Sequence, residues 1–159
     1  MKRIAVLAAL LVVWSAPPSL VHAQAGPATP SAAYDETLAR SLGADELGMR
    51  PYVLVILKTG PTPVPPGAER DAMFRGHFAN INRLAAEGVL AVAGPLDGVD
   101  GRRGLFILAL PDVEQARKHV ATDPVIANGE MVAEYHRYYG SAALMLVRDA
   151  HDKIAKKKF

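Results

Sequence analysis

Between Met73 and Leu96 the chain reads MFRGHFANINRLAAEGVLAVAGPL, and this stretch constrains the fold more than any other. Phe74, Phe78, Ile81, Leu84 and Ala85 recur at the helical period, which predicts a helix over Glu69 to Glu87. His77 stands one turn before Ile81 and two before Leu84, so an ionisable ring points toward whatever the helix packs on. Gly88 supplies the left-handed residue that ends a helix, and Val89 to Ala93 is a short apolar strand that Gly94 and Pro95 are expected to stop. A helix, a turn and a strand in this order need a sheet to pack on, and the rest of the chain must provide it.

The remaining apolar runs meet that demand. Tyr52 to Leu57 (YVLVIL) is apolar on both faces and β-branched, as an interior strand would be. The Gly60 to Gly67 span that follows is too rich in proline and glycine for regular structure and reads as a rim, a lid or a plain connection. After Pro95 the Asp-Gly pairs of LDGVDG mark a hairpin loop into Leu105 to Leu110. Pro111, Asp112 and Gln115 open a second helix over Val113 to Ala121, which Asp123-Pro124 breaks. An Asn128-Gly129 turn then leads to an aromatic-rich strand, Met131 to Tyr139. The order is strand, helix, strand, strand, helix, strand. This predicts an α+β fold of the ferredoxin-like kind, βαββαβ, with a four-stranded antiparallel sheet and both helices on one face. Leu144, Val147, His151 and Ile154 share a face of an extra C-terminal helix.

Helices on one face leave the other face of an apolar sheet bare. A second copy of the chain is the expected cover, giving a two-fold homodimer.

Upstream of this domain, residues 1–23 read as a secretory signal, with Lys2 and Arg3, the apolar run Ile4 to Trp14, and a cleavage region ending in Val21, His22 and Ala23. The eleven-residue run is too short to span a bilayer about 30 Å thick. A lipoprotein would need a cysteine, and the chain has none. The expected product is a soluble periplasmic or secreted protein without disulfides. Residues 24–49 follow as a small-residue, Pro-containing tether and a weakly specified helix within Tyr34 to Leu47, and residues 50–159 form the domain with its C-terminal extension. Taking Lys2 and Arg3 from the 18 basic side chains leaves 16 against 16 acidic ones, so no basic surface is expected for nucleic acid or for membrane after signal removal.

Gly76-His77-Phe78 on the helix, Glu87-Gly88, Ala93-Gly94-Pro95-Leu96, the hairpin to Gly104, and Asp123-Pro124 followed by Gly129 together resemble the YciI-like (YCII-related) family. That family belongs to the dimeric α/β-barrel superfamily, with muconolactone isomerase. The resemblance implies a ferredoxin-like protomer, a homodimer, and a site made by the histidine of the first helix and the aspartate of the Asp-Pro pair. Those positions are His77 and Asp123. It also implies a small organic ligand and, where chemistry is assigned, loss of chloride from a chlorinated hydroxyquinol or related proton transfer of the lyase or isomerase kind. A non-catalytic ligand-binding or assembly module of the same fold is the alternative.

The residues themselves leave several roles open. Imidazole titrates near neutrality and a carboxylate fixes its tautomer, so His77 and Asp123 suit acid-base catalysis. His77 is equally what a core histidine bonded to a backbone carbonyl looks like, and Asp123 before Pro124 is what a helix N-cap looks like. Arg70 and Arg75 could steer an anionic substrate or could be ordinary surface cations; Gly94 and Pro95 are the other candidate substrate contacts. Glu134 and His136 alternate onto one strand face, but two ligands do not make a metal site. The glycines at 98, 101 and 104 precede a strand, not a helix, which argues against a dinucleotide loop. No cofactor is implied.

Overall fold

The computed structural model describes residues 33–157, so the signal and most of the tether lie outside the described residues. Strand β1 (Met49–Thr59) is longer at both ends than its apolar core suggests. Helix α2 (Ala68–Ala86) follows the Pro-rich loop and carries Glu69 and Asp71 in its first turn and Arg83 in its last, the charge placement that opposes the helix dipole. Gly88, at φ +71°, reverses the chain into β2 (Leu90–Pro95), because that left-handed backbone costs any residue with a Cβ. A 3-10 turn at Val99–Gly101 joins β2 to β3 (Arg102–Leu108).

Asp112 caps α3 (Val113–Val120) by accepting from the Glu114 N–H at 2.9 Å. A one-turn helix, α4 (Pro124–Ala127), precedes β4 (Met131–Ser141). Helix α1 (Glu36–Ser41) lies before β1 and α5 (Val147–Ile154) after β4. No helix among the described residues is long and apolar enough to cross a membrane.

The four strands form one antiparallel sheet in the order β2-β3-β1-β4. With the intervening helices this is the ferredoxin-like βαββαβ topology that the element order predicts. Val53, Val55 and Leu57 of β1 and Phe106 and Leu108 of β3 point to the helix side. There they meet Met73 and Leu84 of α2, Ala116 and Val120 of α3, and Val125 of α4. Each fully buried aliphatic side chain here contributes about 1.5–3 kcal/mol against exposure, so this layer is what holds α2 and α4 over the sheet. Leu54, Ile56, Leu105 and Ile107 alternate onto the opposite face and are only partly buried. The sheet is open within the protomer.

Three expectations are corrected. Gly94 and Pro95 do not follow the second strand but are its last two residues: they pair with Leu105 and Gly104 before it ends, since β2 is an edge strand where a missing N–H is tolerated. The third strand starts at Arg102 rather than Leu105, because polar residues can continue a ladder as readily as apolar ones when one side is wet. The fully buried stripe of α2 is Met73, His77, Asn80 and Leu84; Phe74, Ile81 and Ala85 pack against the core from its flank, and of the expected apolar line only Phe78, 43% exposed, lies largely outside it. One polar residue, Asn80, joins the buried side.

Two further ties fix the periphery. Arg50 donates to the Leu42 carbonyl at 2.8 Å and the Tyr139 hydroxyl donates to Asp45, joining the segment after α1 to β1 and β4. Gly60 and Thr62 donate their N–H groups to the Glu130 and Gly129 carbonyls, so the Pro-rich loop is fastened along the turn before β4.

Candidate active site

The site begins with a close approach of two helices. A Cβ built on Gly76 of α2 would stand 2.9 Å from Cγ of Pro124, so only glycine admits the proline ring of α4 at this distance. The next residue on α2 is His77, and the residue before the proline is Asp123. The contact therefore sets the separation of the two groups.

His77 and Asp123, 46 positions apart, are joined by a hydrogen bond of 2.8 Å between Nδ1 and Oδ2. Asp123 has no exposed surface and His77 is 8% exposed. Asp123 also accepts the Val125 N–H on Oδ1 at 3.1 Å, so it caps α4 and holds the histidine at once. The helix-cap reading of Asp123 is thus met, and the same carboxylate also bonds His77. An ionised carboxylate only accepts, so a neutral ring bonded to one through Nδ1 carries its proton there and its lone pair on Nε2.

Asn80 Nδ2 lies 3.4 Å from the same Oδ2. On its other side Asn80 Oδ1 accepts from Arg83 at 2.8 Å and lies 3.1 Å from the Thr122 hydroxyl. Arg83 also donates to Thr122 Oγ1 at 3.0 Å and to Glu87 at 2.8 Å.

Around the imidazole stand three phenyl rings. Phe106 of β3 is stacked at 6.1 Å between centroids, Phe78 is tilted at 5.4 Å, and Phe74 approaches edge-on at 6.0 Å. They remove water from the ring on several sides, which strengthens its bond to Asp123.

The remaining candidates fall elsewhere. Arg70 makes an ion pair of 2.7 Å with Glu130, donates to the Val64 carbonyl at 2.8 Å, and lies over the Phe74 ring at 4.8 Å. Its charge is thus directed to a protein carboxylate. Arg75 is exposed on α2. Gly94 pairs with Leu105 on the open side of the sheet, opposite the face on which Phe106 meets His77. Pro95 pairs with Gly104. Glu134 and His136 bond to each other at 2.8 Å on the open side, and no group of metal-binding side chains occurs among the described residues.

Glu130 was not anticipated as a functional or structural centre. Its side chain is 2% exposed, and it accepts from the Val64 N–H at 2.7 Å and pairs with Arg70 and, at 3.6 Å, Arg103. Burial alone would push its carboxyl up, but those donors and charges outweigh burial and hold it below its ordinary value. Asn80 was also missed. Neither carries a sequence signal, because their partners come from distant segments.

Two surface hollows flank α5, the larger about 390 Å³ and bordered by Ala85, Gly88, Met145 and Arg148. Neither is lined by His77 or Asp123.

A ferredoxin-like α+β domain with a buried histidine-carboxylate pair between its first helix and the Asp-Pro turn is the class of protein that these features define. The YCII-related domain model matches residues 51–136, and the chain belongs to that family. Among solved structures, the chain is similar to the 5-chloro-2-hydroxyhydroquinone dehydrochlorinase TftG from Burkholderia phenoliruptrix AC1100, determined in complex with 2,5-dihydroxybenzoquinone. The identity is 20%, the match covers 54% of this chain and 92% of that one, and the TM-score is 0.39. No curated protein matches the chain.

Proposed function

We propose that this YCII-related protein is exported, pairs with a second copy through the open face of its sheet, and binds a small cyclic organic molecule on which His77 transfers a proton. The observation that carries the reading is the 2.8 Å bond from Nδ1 of a nearly buried histidine to a fully buried aspartate. A histidine that only filled space would need one backbone acceptor; a carboxylate with no exposure is a costly partner to retain for packing alone.

In the proposed step the Nε2 lone pair takes a proton from an O–H or activated C–H of the ligand. The electron pair left on the ligand delocalises through its ring. It then either expels a leaving group such as chloride or takes the proton back at another carbon from the imidazolium. Asp123 holds the ring and offsets the positive charge that it gains. The surrounding phenyl rings suit a flat, unsaturated ligand. The paired copy is the remaining part of the proposal: Leu54, Ile56, Leu105 and Ile107 offer an apolar face that association would cover.

The second reading is ligand binding or assembly without turnover. It is favoured by the 8% exposure of His77 in the single protomer, which leaves a ligand little access.

A library of hydroxylated and chlorinated aromatics and lactones, read first by thermal shift and then by turnover, tests the proposal. General acid-base catalysis is worth about 10²–10⁴-fold, so His77→Ala should lose turnover by that factor while keeping the fold. Equal turnover by the two proteins would retire the enzyme reading. A monomeric mass by light scattering at micromolar concentration would retire the dimer.

A further inference from the structure

The chemistry of an acid-base histidine depends on which of its nitrogens carries the proton, and an Asp-His contact fixes this only if the carboxylate cannot turn away. Asp123 has two oxygens. Oδ1 is held by the Val125 N–H at 3.1 Å, and Oδ2 faces both His77 Nδ1 and Asn80 Nδ2.

The orientation of the Asn80 amide follows from its other neighbour. Arginine has donors and no acceptor, so the atom of Asn80 that lies 2.8 Å from Arg83 must be the carbonyl oxygen. The NH2 group is then forced toward Asp123. Were the amide turned over, Asn80 would present an NH2 to a guanidinium and a carbonyl oxygen to a carboxylate, two repulsions in place of two bonds. Thr122 completes the arrangement: its hydroxyl oxygen accepts from Arg83 at 3.0 Å and lies 2.7 Å from the His119 carbonyl, to which it donates. The donor order therefore runs in one direction, from Arg83 at the surface through Asn80 to the buried Asp123.

We infer that Asn80 is a positioning residue for the proton-transfer site: with its amide fixed by Arg83, it holds Asp123 Oδ2 on His77 Nδ1 and so maintains the tautomer whose lone pair lies on Nε2. The inference rests on the proton-transfer reading of His77 and adds two residues to it. Asn80 is buried at 8% exposure in a position where an apolar side chain would pack without needing partners. Arg83 is about half exposed, and its side chain is directed inward to Asn80 and Thr122 as well as to Glu87.

The test needs no substrate, so it can fail while the catalytic reading stands, and the reverse. Nitrogen-15 spectra of histidine-labelled full-length protein, at a pH where the ring is neutral, report the protonation of each ring nitrogen. In wild type the His77 Nδ1 resonance should fall in the protonated range and Nε2 in the unprotonated range. Asn80→Leu, which keeps the volume and removes the donor, should draw the two resonances together as the tautomers mix. Arg83→Met, a change at a partly exposed site, should do the same to a smaller degree by freeing the amide to turn. Asn80→Asp should mix the tautomers as well, since a second carboxylate cannot donate to the first. A wild-type pair of resonances in Asn80→Leu or in Arg83→Met overturns the inference. If Asn80→Leu does not fold, as judged by circular dichroism, the Arg83→Met spectrum alone decides.

Discussion

Replacing Gly76 by alanine sets two effects of known size against each other at the contact that places His77 beside Asp123. In the interior of a helix such as α2, alanine is favoured over glycine by about 1 kcal/mol. Against this, the new Cβ would stand 2.9 Å from Pro124 Cγ, whereas nonbonded carbons rest at about 3.5–4.0 Å. Helix α4 must then retreat by about 0.6 Å or more, and overpacking of this kind costs about 1–3 kcal/mol. The expected result is a protein of unchanged stability or one destabilised by up to about 2 kcal/mol.

The same retreat would lengthen the 2.8 Å bond between His77 and Asp123 to about 3.4 Å if none of it is absorbed elsewhere. The low-field Nδ1 proton signal of His77 should therefore be lost or broadened. Urea denaturation of four proteins separates the two effects: wild type, Gly76→Ala, Pro124→Ala and the double variant. With the proline ring gone, Gly76→Ala should stabilise by about 1 kcal/mol, giving a coupling of about 1–3 kcal/mol between the sites. Stabilisation by the full helical gain in both backgrounds, with the His77 signal intact, would refute the reasoning.

Glu130→Ala should destabilise the domain by about 2–3 kcal/mol, below the usual cost of breaking a buried ion pair because Arg70 and Arg103 keep some access to water. Faster hydrogen exchange at Val64 should accompany it, and a loss under about 0.5 kcal/mol would contradict the account. Because the folded carboxyl is held below its ordinary 4.5, its contribution is full at neutral pH and disappears as acid carries the pH down through 4.5 and then the lower folded value. Glu130→Gln should flatten the stability profile in that acid window, and an unchanged acid limb would count against the assigned role. On the open face, Ile56→Lys should leave the protomer folded and shift the light-scattering mass toward that of a single chain; a dimer of undiminished strength would place the interface elsewhere.

Much of this could be read from residue order because the information is local. The period of a buried helix, the β-branched run of Tyr52 to Leu57, the Asp-Gly hairpin and the caps at Asp112 and Asp123 depend on neighbours within a turn or two. Their order selects the ferredoxin-like sheet. The Asp-Pro dipeptide marks a helix start wherever it occurs, and the period of α2 places His77 on or near the buried side.

Distance across the fold was needed for the rest. That Asn80 joins the buried side of α2 has no local signal, since this polar residue is inside where Asp123, Arg83 and Thr122 converge on it. Glu130 is an ordinary acidic residue until Val64, Arg70 and Arg103 arrive from other segments, and Arg70 becomes the partly buried partner of that carboxylate for the same reason. Hydrogen bonds and ion pairs between remote residues leave no periodicity in a sequence. The bond of His77 to Asp123 is of this kind: the family resemblance names the two residues, and the contact itself is made by a glycine and a proline that let two helices touch.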